Sequence, residues 1–406
     1  MIIWEIFKMA INALRINKLR TSLTLLGIII GVSSVITIVS ALEGLSQSIE
    51  GELAVLGPTT FIVDRFGLIT GHDAFMEALK RKPLKYEYVK AIEDGCTDCE
   101  KVAAMTYDEG EVKNGNRKLK HVFIGGATAN IINIVDMQVD QGRFYYPEED
   151  QTRNRVAFIG PTIAEELYPG LDPIGKELKV NNIKYQIIGI AKKKGSSFNE
   201  NHDKIVYVPY FSYKRDFGGQ RDNVEIYVKA VSLDRMNEAM DETRVILRGI
   251  RKVPYKKDDD FGIFTAEAIM AIINDVTKYI RFGLVGISSI ALVVGGIIIM
   301  NIMMVSVTER TREIGIRKSI GAKRKNILMQ FLFESLVLSL TGGIIGIAIG
   351  VVLGDVLIHL IKMNMTPSVF AIVTGLIISS GVGLFFGIYP AMKAARLQPV
   401  KALSFE

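Results

Sequence analysis

The stretch NIMMVSVTERTREIGIRKSIGAKRKNILMQFLFESLVLSL, residues 301–340, changes character twice. It starts within a long apolar run and becomes charged over residues 308–326, which hold seven basic and two acidic side chains. It then turns apolar again. About 20 apolar residues in a helix are enough to cross the hydrocarbon core of a bilayer. The pattern therefore indicates two membrane-spanning helices that are joined by a short charged segment.

Four windows of the chain are long and apolar enough to cross a membrane as helices: residues 21–42, 281–307, 327–354 and 368–392. A helix satisfies its own backbone hydrogen bonds in lipid, so a window with few charges is stable there. Apart from Arg281 at the edge of the second window, Glu334 is the one charged residue inside them. The mean hydropathy of +0.27 agrees with a few spans joined to a sizeable aqueous domain.

Charges beside the first window orient the chain. Four basic residues precede this window and three acidic residues follow it: Lys8, Arg15, Lys18 and Arg20, then Glu43, Glu50 and Glu52. Because basic flanks stay on the cytoplasmic side, both termini are predicted to be cytoplasmic. Alternation then places residues 43–280 and the 355–367 loop outside, and residues 308–326 and the 393–406 tail inside.

The net charge supports this division. Residues 43–280 hold 33 Lys and Arg against 37 Asp and Glu, a net −4, and the remainder holds 16 against 6, a net +10. The sequence pI near 9.0 therefore reflects membrane orientation, and no nucleic-acid partner is expected.

Residues 1–20 have three alternative interpretations. Polar residues gather on one face of a predicted helix, which suits an amphipathic helix in the inner interface, or the segment is a plain cytoplasmic extension of the first span. A cleaved signal peptide that ends at Ala41 is a third alternative. Its apolar part would be about twice the usual 7–15 residues, which disfavours it.

Residues 43–280 predict an α+β domain, with one or two subdomains. Polar and apolar residues alternate on both sides of Asn181-Asn182, which predicts a β-hairpin with its turn at these two residues. Residues 265–286 are predicted to form a helix that continues without a helix breaker into the second span, as a stalk would. The other predicted strands are TTFIVDR (59–65), RVAFIG (155–160), KIVYVPY (204–210) and NVEIYVKA (223–230), and the other predicted helices lie in residues 161–170 and 232–253.

Two short motifs in this domain resemble chemical sites. GLDPIGKE, residues 170–177, has the spacing of a phosphate-binding loop, but Glu177 stands where a magnesium-binding hydroxyl is needed and the next residues are strand-like. We therefore expect a turn there, with no cofactor, no metal and no catalytic residue in this chain. Cys96 and Cys99 in CTDC favour a disulfide outside the cell; a redox pair or a zinc site remain alternatives.

The last two spans carry small residues every four positions: Gly342, Gly346, Gly350 and Gly354 in the third, and Gly375, Ser379, Gly383 and Gly387 in the fourth. Small residues let helix backbones approach closely in lipid. We expect tight helix packing, or helices that slide against each other. Glu334 is expected to meet a cation near the inner interface or to be protonated, since a charge near a span's centre costs about 2.5–3.5 kcal/mol.

The charged segment 308–326 is long enough for one short helix along the inner membrane face. Glu313 and Arg317 are spaced as an i,i+4 ion pair, and Ile316 and Ile320 share a face. One interpretation is a basic loop held by anionic lipid. The other, which accounts for the acidic and aliphatic residues, is a docking site for a cytoplasmic protein.

TERTREIGIRKSIGAKRKNILMQFLFES (308–335) and GIYPAMKAARLQPVKAL (387–403) resemble the two signatures of MacB/FtsX-type ABC transporter permeases, the macrolide-export and lipoprotein-release group. Four outer segments resemble the periplasmic core domain of that family: GRFYYPEED (142–150), NRVAFIG (154–160), LDPIGKELKVNNIKYQIIGI (171–190) and KIVYVP (204–209). The macrolide exporter proper has a fused ATPase domain, which we expect this chain to lack.

The resemblance implies a function. The chain would be a non-enzymatic permease subunit in the bacterial cytoplasmic membrane, in a dimer with two cytoplasmic ABC ATPase subunits that bind ATP and magnesium. An extracytoplasmic adaptor and membrane lipids are further expected partners. Export of amphiphilic or peptide cargo would be driven by mechanotransmission; the alternative is a signal relay that activates an extracytoplasmic hydrolase or sensor. The coupling helix would contain Glu309, Arg312, Glu313, Ile314, Gly315, Ile316, Arg317 and Lys318.

Overall fold

The computed structural model describes residues 18–53, 56–69, 71–135, 137–197, 200–218, 223–361 and 369–403. Most of the predicted N-terminal helix 1–20, and residues 362–367 of the predicted outer loop, lie outside these ranges. The chain divides into a helical unit, Met1–Ser46 with Asp275–Glu406, and a sheet domain, Gln47–Asn274.

The described α-helices are α1 (Lys18–Leu53), α2 (His72–Ala78), α3 (Tyr86–Gly95), α4 (Pro147–Gln151), α5 (Pro161–Leu167), α6 (Tyr210–Phe217), α7 (Met236–Ile250), α8 (Ala266–Glu309), α9 (Thr311–Ser319), α10 (Arg324–Ile361), α11 (Val369–Arg396) and α12 (Pro399–Leu403). The described strands are β1 (Thr60–Asp64), β2 (Cys99–Asn114), β3 (Arg117–Ala127), β4 (Val139–Gly142), β5 (Val156–Ile159), β6 (Glu177–Val180), β7 (Ile183–Ala191), β8 (Ser196–Ser197), β9 (Glu200–Asn201), β10 (Ile205–Pro209), β11 (Glu225–Ala230) and β12 (Gly262–Thr265).

One mixed sheet forms the frame of the sheet domain. Its strands run in the order β12-β1-β11-β2-β3-β10-β5-β7-β4, and β6 pairs with both β2 and β7. The predicted β6–β7 hairpin is confirmed: Val180 pairs with Ile183, and Asn181 and Asn182 have φ of 46° and 70°. Asn tolerates positive φ, and a two-residue turn with two such residues matches the twist of the flanking strands.

Three apolar clusters fill the two faces of this sheet. On one face α3 and α7 pack over β1, β11 and β2 around Phe61, Ile92 and Leu247. Further along the same face α5 covers β5, β7 and β10. The opposite face holds a cluster that includes Phe158 and Ile131. The single sheet passes through all three clusters, so the domain is one unit and the alternative of two subdomains is not needed.

Four of the described helices are long and apolar enough to cross a membrane: Leu25–Gly51 within α1, Ala266–Glu309, Arg324–Val356 within α10, and Val369–Arg396. The sheet domain lies between the first and second of them in sequence. The predicted fold class, four such helices with an inserted α+β domain, is therefore confirmed. The predicted stalk and second span form the single helix α8, whose first turn is capped by Thr265 Oγ1 accepting from Ala268 N at 3.1 Å.

Candidate functional site

The charged segment between α8 and α10 folds into the short helix α9. Its start is tied to α8 by Thr311, whose hydroxyl donates to the Val307 carbonyl at 3.0 Å. Its end is closed by two backbone bonds, from Gly321 N to Lys318 O at 3.1 Å and from Ala322 N to Arg317 O at 3.0 Å. Gly321 has φ of +104°, a conformation that glycine adopts without a Cβ clash. Local sequence therefore sets both ends of this helix.

The two faces of α9 have different surroundings. On the inner face Thr311, Ile314 and Gly315 are buried, and Ile314, 3% exposed, belongs to the apolar cluster of the membrane helices with Met303 and Phe331. The outer face exposes Arg312, Glu313 and Ile316. Glu309, the last residue of α8, is also exposed, and just beyond the end of α9 Ile320 is 81% exposed. This face combines both signs of charge with aliphatic surface.

The eight residues predicted for coupling thus do not share one environment: four are exposed, two are half-buried and two are buried. Ile314 and Gly315, at the centre of the motif, face inward and hold the helix in place. Ile320 was not among the eight residues. Its spacing of four from Ile316, which places the two on one helical face, could have added it to the predicted coupling residues.

Arg317 and Lys318 fasten the half-buried side of α9. Arg317 donates to Gln330 Oε1 of α10 at 2.7 Å and pairs with Glu313, one turn earlier, at 2.5 Å. Lys318 Nζ donates to the backbone carbonyls of Ala395 and Leu397, the latter at 2.7 Å, at the end of α11. Burial, with the nearby charge of Arg324, lowers the pKa of Lys318. Free carbonyls at a helix end attract a cation, so Lys318 ties α9 to α11.

Glu334 meets a cation, the first of the two alternatives. Glu334 lies on α10 and is 5% exposed, and both of its carboxylate oxygens lie 3.4 Å from Arg310 Nη1. Arg310 stands at the junction of α8 and α9. This ion pair is a second tie between the junction and α10.

The glycine stripe of the third span faces the first span. A Cβ on Gly346 would stand 3.1 Å from Ile29 O, and one on Gly350 would stand 3.0 Å from Ser33 O. Gly342 lies against Ile28, while Gly354 has no described heavy atom within 4 Å of an added Cβ. Three of the four predicted packing glycines therefore make a close helix contact among the described residues, and Gly354 does not.

The stripe of the fourth span faces a second stripe of small residues on α10, formed by Ser335, Ser339 and Gly343, which was not predicted. A Cβ on Gly383 would stand 2.0 Å from Ser339 Oγ, and one on Gly387 would stand 2.1 Å from Ser335 Oγ. Ser379 in turn occupies the space beside Gly343, and Gly375 lies against Ile36 of α1. The serine hydroxyls donate within their own helix, Ser339 Oγ to Leu336 O at 3.0 Å. Serines that are satisfied in this way pack as small residues.

The two short motifs of the sheet domain form a turn and a disulfide. GLDPIGKE is a turn with positive φ at Gly170 and Gly175, and strand β6 follows it, as predicted. Cys96 and Cys99 are joined in a disulfide with Cα atoms 5.5 Å apart. The loop between them donates three hydrogen bonds to the Glu242 carboxylate of α7, from Thr97 N, Thr97 Oγ1 and Asp98 N. Within the described ranges no group of three His, Cys, Asp or Glu could hold a metal ion.

Comparison with known proteins identifies two family regions. Residues 21–246 match the MacB-like periplasmic core domain, and residues 285–399 match the FtsX-like permease C-terminal region. The chain is 34% identical over 398 residues to the macrolide export ATP-binding/permease protein MacB of Bdellovibrio bacteriovorus, with 97% of this chain and 61% of that protein covered. It is 36% identical over 400 residues to MacB of Chlorobium luteolum, with 98% of this chain and 59% of that protein covered. The chain thus spans about three fifths of the length of these relatives.

Two solved structures resemble part of the chain. The periplasmic region of MacB from Actinobacillus actinomycetemcomitans has 17% identity and a TM-score of 0.46, with 56% of this chain and 97% of that one covered. The extracellular domain of the noncanonic ABC-type transporter YknZ from Gram-positive bacteria has 16% identity and a TM-score of 0.41, with 51% of this chain and 100% of that one covered.

The periplasmic-core match alone covers more than half of the chain, and the permease match covers most of the remainder. The chain belongs to the MacB-like family of ABC transporter permeases, multi-pass proteins of the cytoplasmic membrane.

Proposed function

We propose that this chain is the permease subunit of an ABC-type exporter, with a separate cytoplasmic ATPase that docks on α9. One observation carries the proposal: α9 presents a mixed charged and aliphatic face while its other face is fixed to the membrane helices. Ile314 joins the apolar cluster, Arg317 bonds to α10, and Lys318 bonds to the end of α11. A force on the exposed face would therefore reach several helices together.

Transmission out of the membrane would use α8. This helix runs without a break from Ala266 to Glu309 and ends one residue from α9. Its N-terminal end follows β12 of the sheet domain directly. A continuous helix is stiff, so ATP-driven movement of α9 would be passed to the sheet domain, in a dimer of two permease copies and two ATPases.

The packing of the membrane helices favours a mechanism in which the outer domains move the cargo over one in which the cargo passes between the helices. The buried serines of α10 and α11, Ser335, Ser339 and Ser379, are in contact with glycines of the opposite helix or bonded within their own, and the buried Glu334 of α10 is paired with Arg310. Amphiphilic or peptide cargo would be extruded by the moving outer domains, with an adaptor as a further partner. The curated relatives carry macrolide export in their name, which makes macrolides the first cargo to assay.

The test is reconstitution of the full chain with its ATPase in lipid nanodiscs, followed by Glu313→Lys. Glu313 is exposed, and its surface pair with Arg317 contributes only about 0.3–0.5 kcal/mol, so the variant should insert and fold normally. We expect loss of permease-stimulated ATP hydrolysis, because the reversed charge meets the partner's surface. Glu238 is an exposed residue of α7 in the sheet domain, so Glu238→Lys changes the net charge by the same amount and should leave the stimulation intact.

Unchanged stimulation in Glu313→Lys would overturn the assignment of α9 as the docking site. A second assay, on the wild-type complex, distinguishes export from signal relay. Release of labelled macrolide or peptide from membranes supports export. ATP-dependent activation of an extracytoplasmic hydrolase, with no cargo released, supports the relay.

A further inference from the structure

Four lysines lie side by side across four strands of the sheet domain. Lys113 of β2 is the register partner of Lys118 of β3 on one side and of Lys179 of β6 on the other. Lys179 is in turn the partner of Lys184 of β7. Residues directly opposite on neighbouring strands have Cβ atoms about 4.5–5.5 Å apart. These four residues, the lysine row, therefore form a line of positive charges that crosses the strands.

The lysine row lies on an open face of the sheet. Side chains alternate between the two faces along a strand. The residues next to the lysines, which include Val112 and Tyr185, belong to the apolar cluster under α5, so the lysines point to the opposite side. Three of the four lysines are exposed, and the side chain of Lys113 in the middle is 35% exposed. A ligand can therefore reach the whole row from solvent.

The protein itself neutralises only part of this charge. Lys113 pairs with Glu111 at 2.5 Å, and Lys184 pairs with Glu177 at 2.8 Å. The other two lysines of the row have no ion pair with any described residue. Like charges that stand directly opposite each other destabilise a sheet. The row therefore costs stability, which a bound anion would recover.

The flanking acidic residues define the shape of the anion. Because β2 and β6 are antiparallel, Glu111 flanks the row on one side and Glu177 flanks it on the other. Each stands two positions along its strand from a lysine of the row, a distance of about 6.6 Å. A broad anionic plane such as a bilayer surface would also meet these two carboxylates and be repelled by them. A chain of anionic groups can instead lie along the row, between the two carboxylates.

The residue type of the row indicates phosphate groups and disfavours a protein surface. Lysine is a compact point charge that binds phosphate, whereas arginine has the planar fork that matches a carboxylate. Protein interfaces are depleted in lysine and are anchored by aromatic residues, methionine or arginine. The row contains none of these anchors, so its attraction is electrostatic and does not depend on a shaped partner.

We propose that the lysine row binds a linear polyanion that carries phosphate groups. The polyanion would lie across β3, β2, β6 and β7, with the unpaired Lys118 and Lys179 as its main contacts. Glu111 and Glu177 would keep it in line by repulsion on both sides. This site is independent of ATPase docking at α9, so either proposal can fail without the other.

The test measures the affinity of the full chain, in nanodiscs of zwitterionic lipid, for fluorescently labelled inorganic polyphosphate. Residues 323–325 are replaced by serine in every protein, so that this exposed basic run does not compete for the anion. Lys118→Thr combined with Lys179→Thr, the row variant, removes the two lysines that have no ion pair. We expect its affinity to be about tenfold lower or less, since each lysine near a phosphate-rich surface strengthens binding several-fold.

Two matched variants separate charge from structure. Lys82→Thr with Lys256→Thr, the loop control, removes the same charge from two other exposed positions and should leave the affinity unchanged. Arginine at both positions of the row variant keeps the charge and should retain most of the binding. In the row variant alone, the slope of log affinity against log salt should decrease by about 1–2, because two contacts that release counterions are lost. Its melting temperature should not fall, since like-charge repulsion is removed.

Equal affinity of the row variant and the loop control would overturn the proposal. Competition by orthophosphate at the same phosphate concentration would also overturn it, because the site would then hold single anions. If vesicles of phosphatidylglycerol bind through the row and polyphosphate does not, the occupant is a membrane surface and the linear polyanion is wrong. Loss of binding in the row variant alone, with orthophosphate inactive as a competitor, supports the proposal.

Discussion

Among single residues, Arg310 and Glu334 form the ion pair that joins the α8–α9 junction to α10. The Glu334 side chain is 7% exposed and that of Arg310 is 26% exposed. We predict that Arg310→Met, which leaves a buried carboxylate unpaired, destabilises the protein by about 3–5 kcal/mol. Arg310→Met combined with Glu334→Leu should restore most of the loss, since an apolar pair of similar volume is tolerated. Thermal unfolding of the purified chain in mild detergent measures both. If the single and the double variant lose the same stability, the Arg310–Glu334 ion pair does not stabilise the protein as predicted.

Asp150 predicts a pH dependence of the sheet domain. It is 4% exposed on α4 and accepts a hydrogen bond from Phe211 N, at the start of α6, at 3.0 Å. Burial raises the pKa of Asp150 to about 6, although the backbone bonds from Phe211 and Tyr210 oppose the rise. The folded state therefore binds the proton more tightly than the unfolded state, whose pKa is about 3.9. Stability is thus lost as pH rises from about 4 to 6 and is regained on acidification.

We expect this group to lower the free energy of unfolding by about 2 kcal/mol between pH 4 and pH 7. Asp150→Asn keeps an acceptor for Phe211 N and cannot ionise, so the pH dependence should be weaker by that amount. Circular dichroism melts of the two proteins at matched pH give the difference. Parallel pH profiles would show that the carboxyl of Asp150 does not titrate as proposed.

At the scale of elements, the contact between α10 and α11 depends on a stripe of glycines opposite serines. Gly383 has no room for a side chain, since an added Cβ would lie 2.0 Å from Ser339 Oγ and 2.8 Å from Ser335 O. Gly381 in the same helix has no heavy atom of the described residues within 4 Å of an added Cβ. The two glycines form a matched pair for substitution.

We predict that Gly383→Leu destabilises the helical unit by about 2–3 kcal/mol, because α10 and α11 are forced apart. Gly381→Leu should stay within about 0.5 kcal/mol of the wild type, since its side chain enters open space. Unfolding in detergent, followed by circular dichroism, tests the pair. Similar losses in both variants would mean that the stripe does not form the helix contact.

At the scale of the whole molecule, the orientation of the chain is still a prediction from its charges. Tyr255 is 98% exposed in the sheet domain, and Ile320 is 81% exposed beside α9. Cys96 and Cys99 are bonded to each other, so new cysteines can be labelled selectively. We predict that a membrane-impermeant maleimide labels Tyr255→Cys on intact spheroplasts, and labels Ile320→Cys only after lysis. The reverse pattern would invert the topology and remove the basis for a cytoplasmic ATPase at α9.

The fold class could be predicted because its signals are local. Apolar windows of span length, flanking charges and the Asn181-Asn182 turn each act within a short segment, and the structure has four such helices, an inserted α+β domain and the predicted hairpin. The long strands β2 and β3 were missed. β2 is polar along much of its length and is recognised as a strand by its pairing with the adjacent β3 and with β11 and β6, which come from distant parts of the sequence.

Local patterns were enough to predict four helices of membrane-spanning length and one short helix in the charged segment 308–326. Which side of that helix is exposed depends on contacts with other helices. Ile314 became buried because α8 and α10 supply its neighbours, and Lys318 became a tie because the carbonyls of Ala395 and Leu397 lie nearby. Hydropathy and turn propensity are properties of neighbouring residues, whereas burial and partner choice depend on elements far apart in the chain.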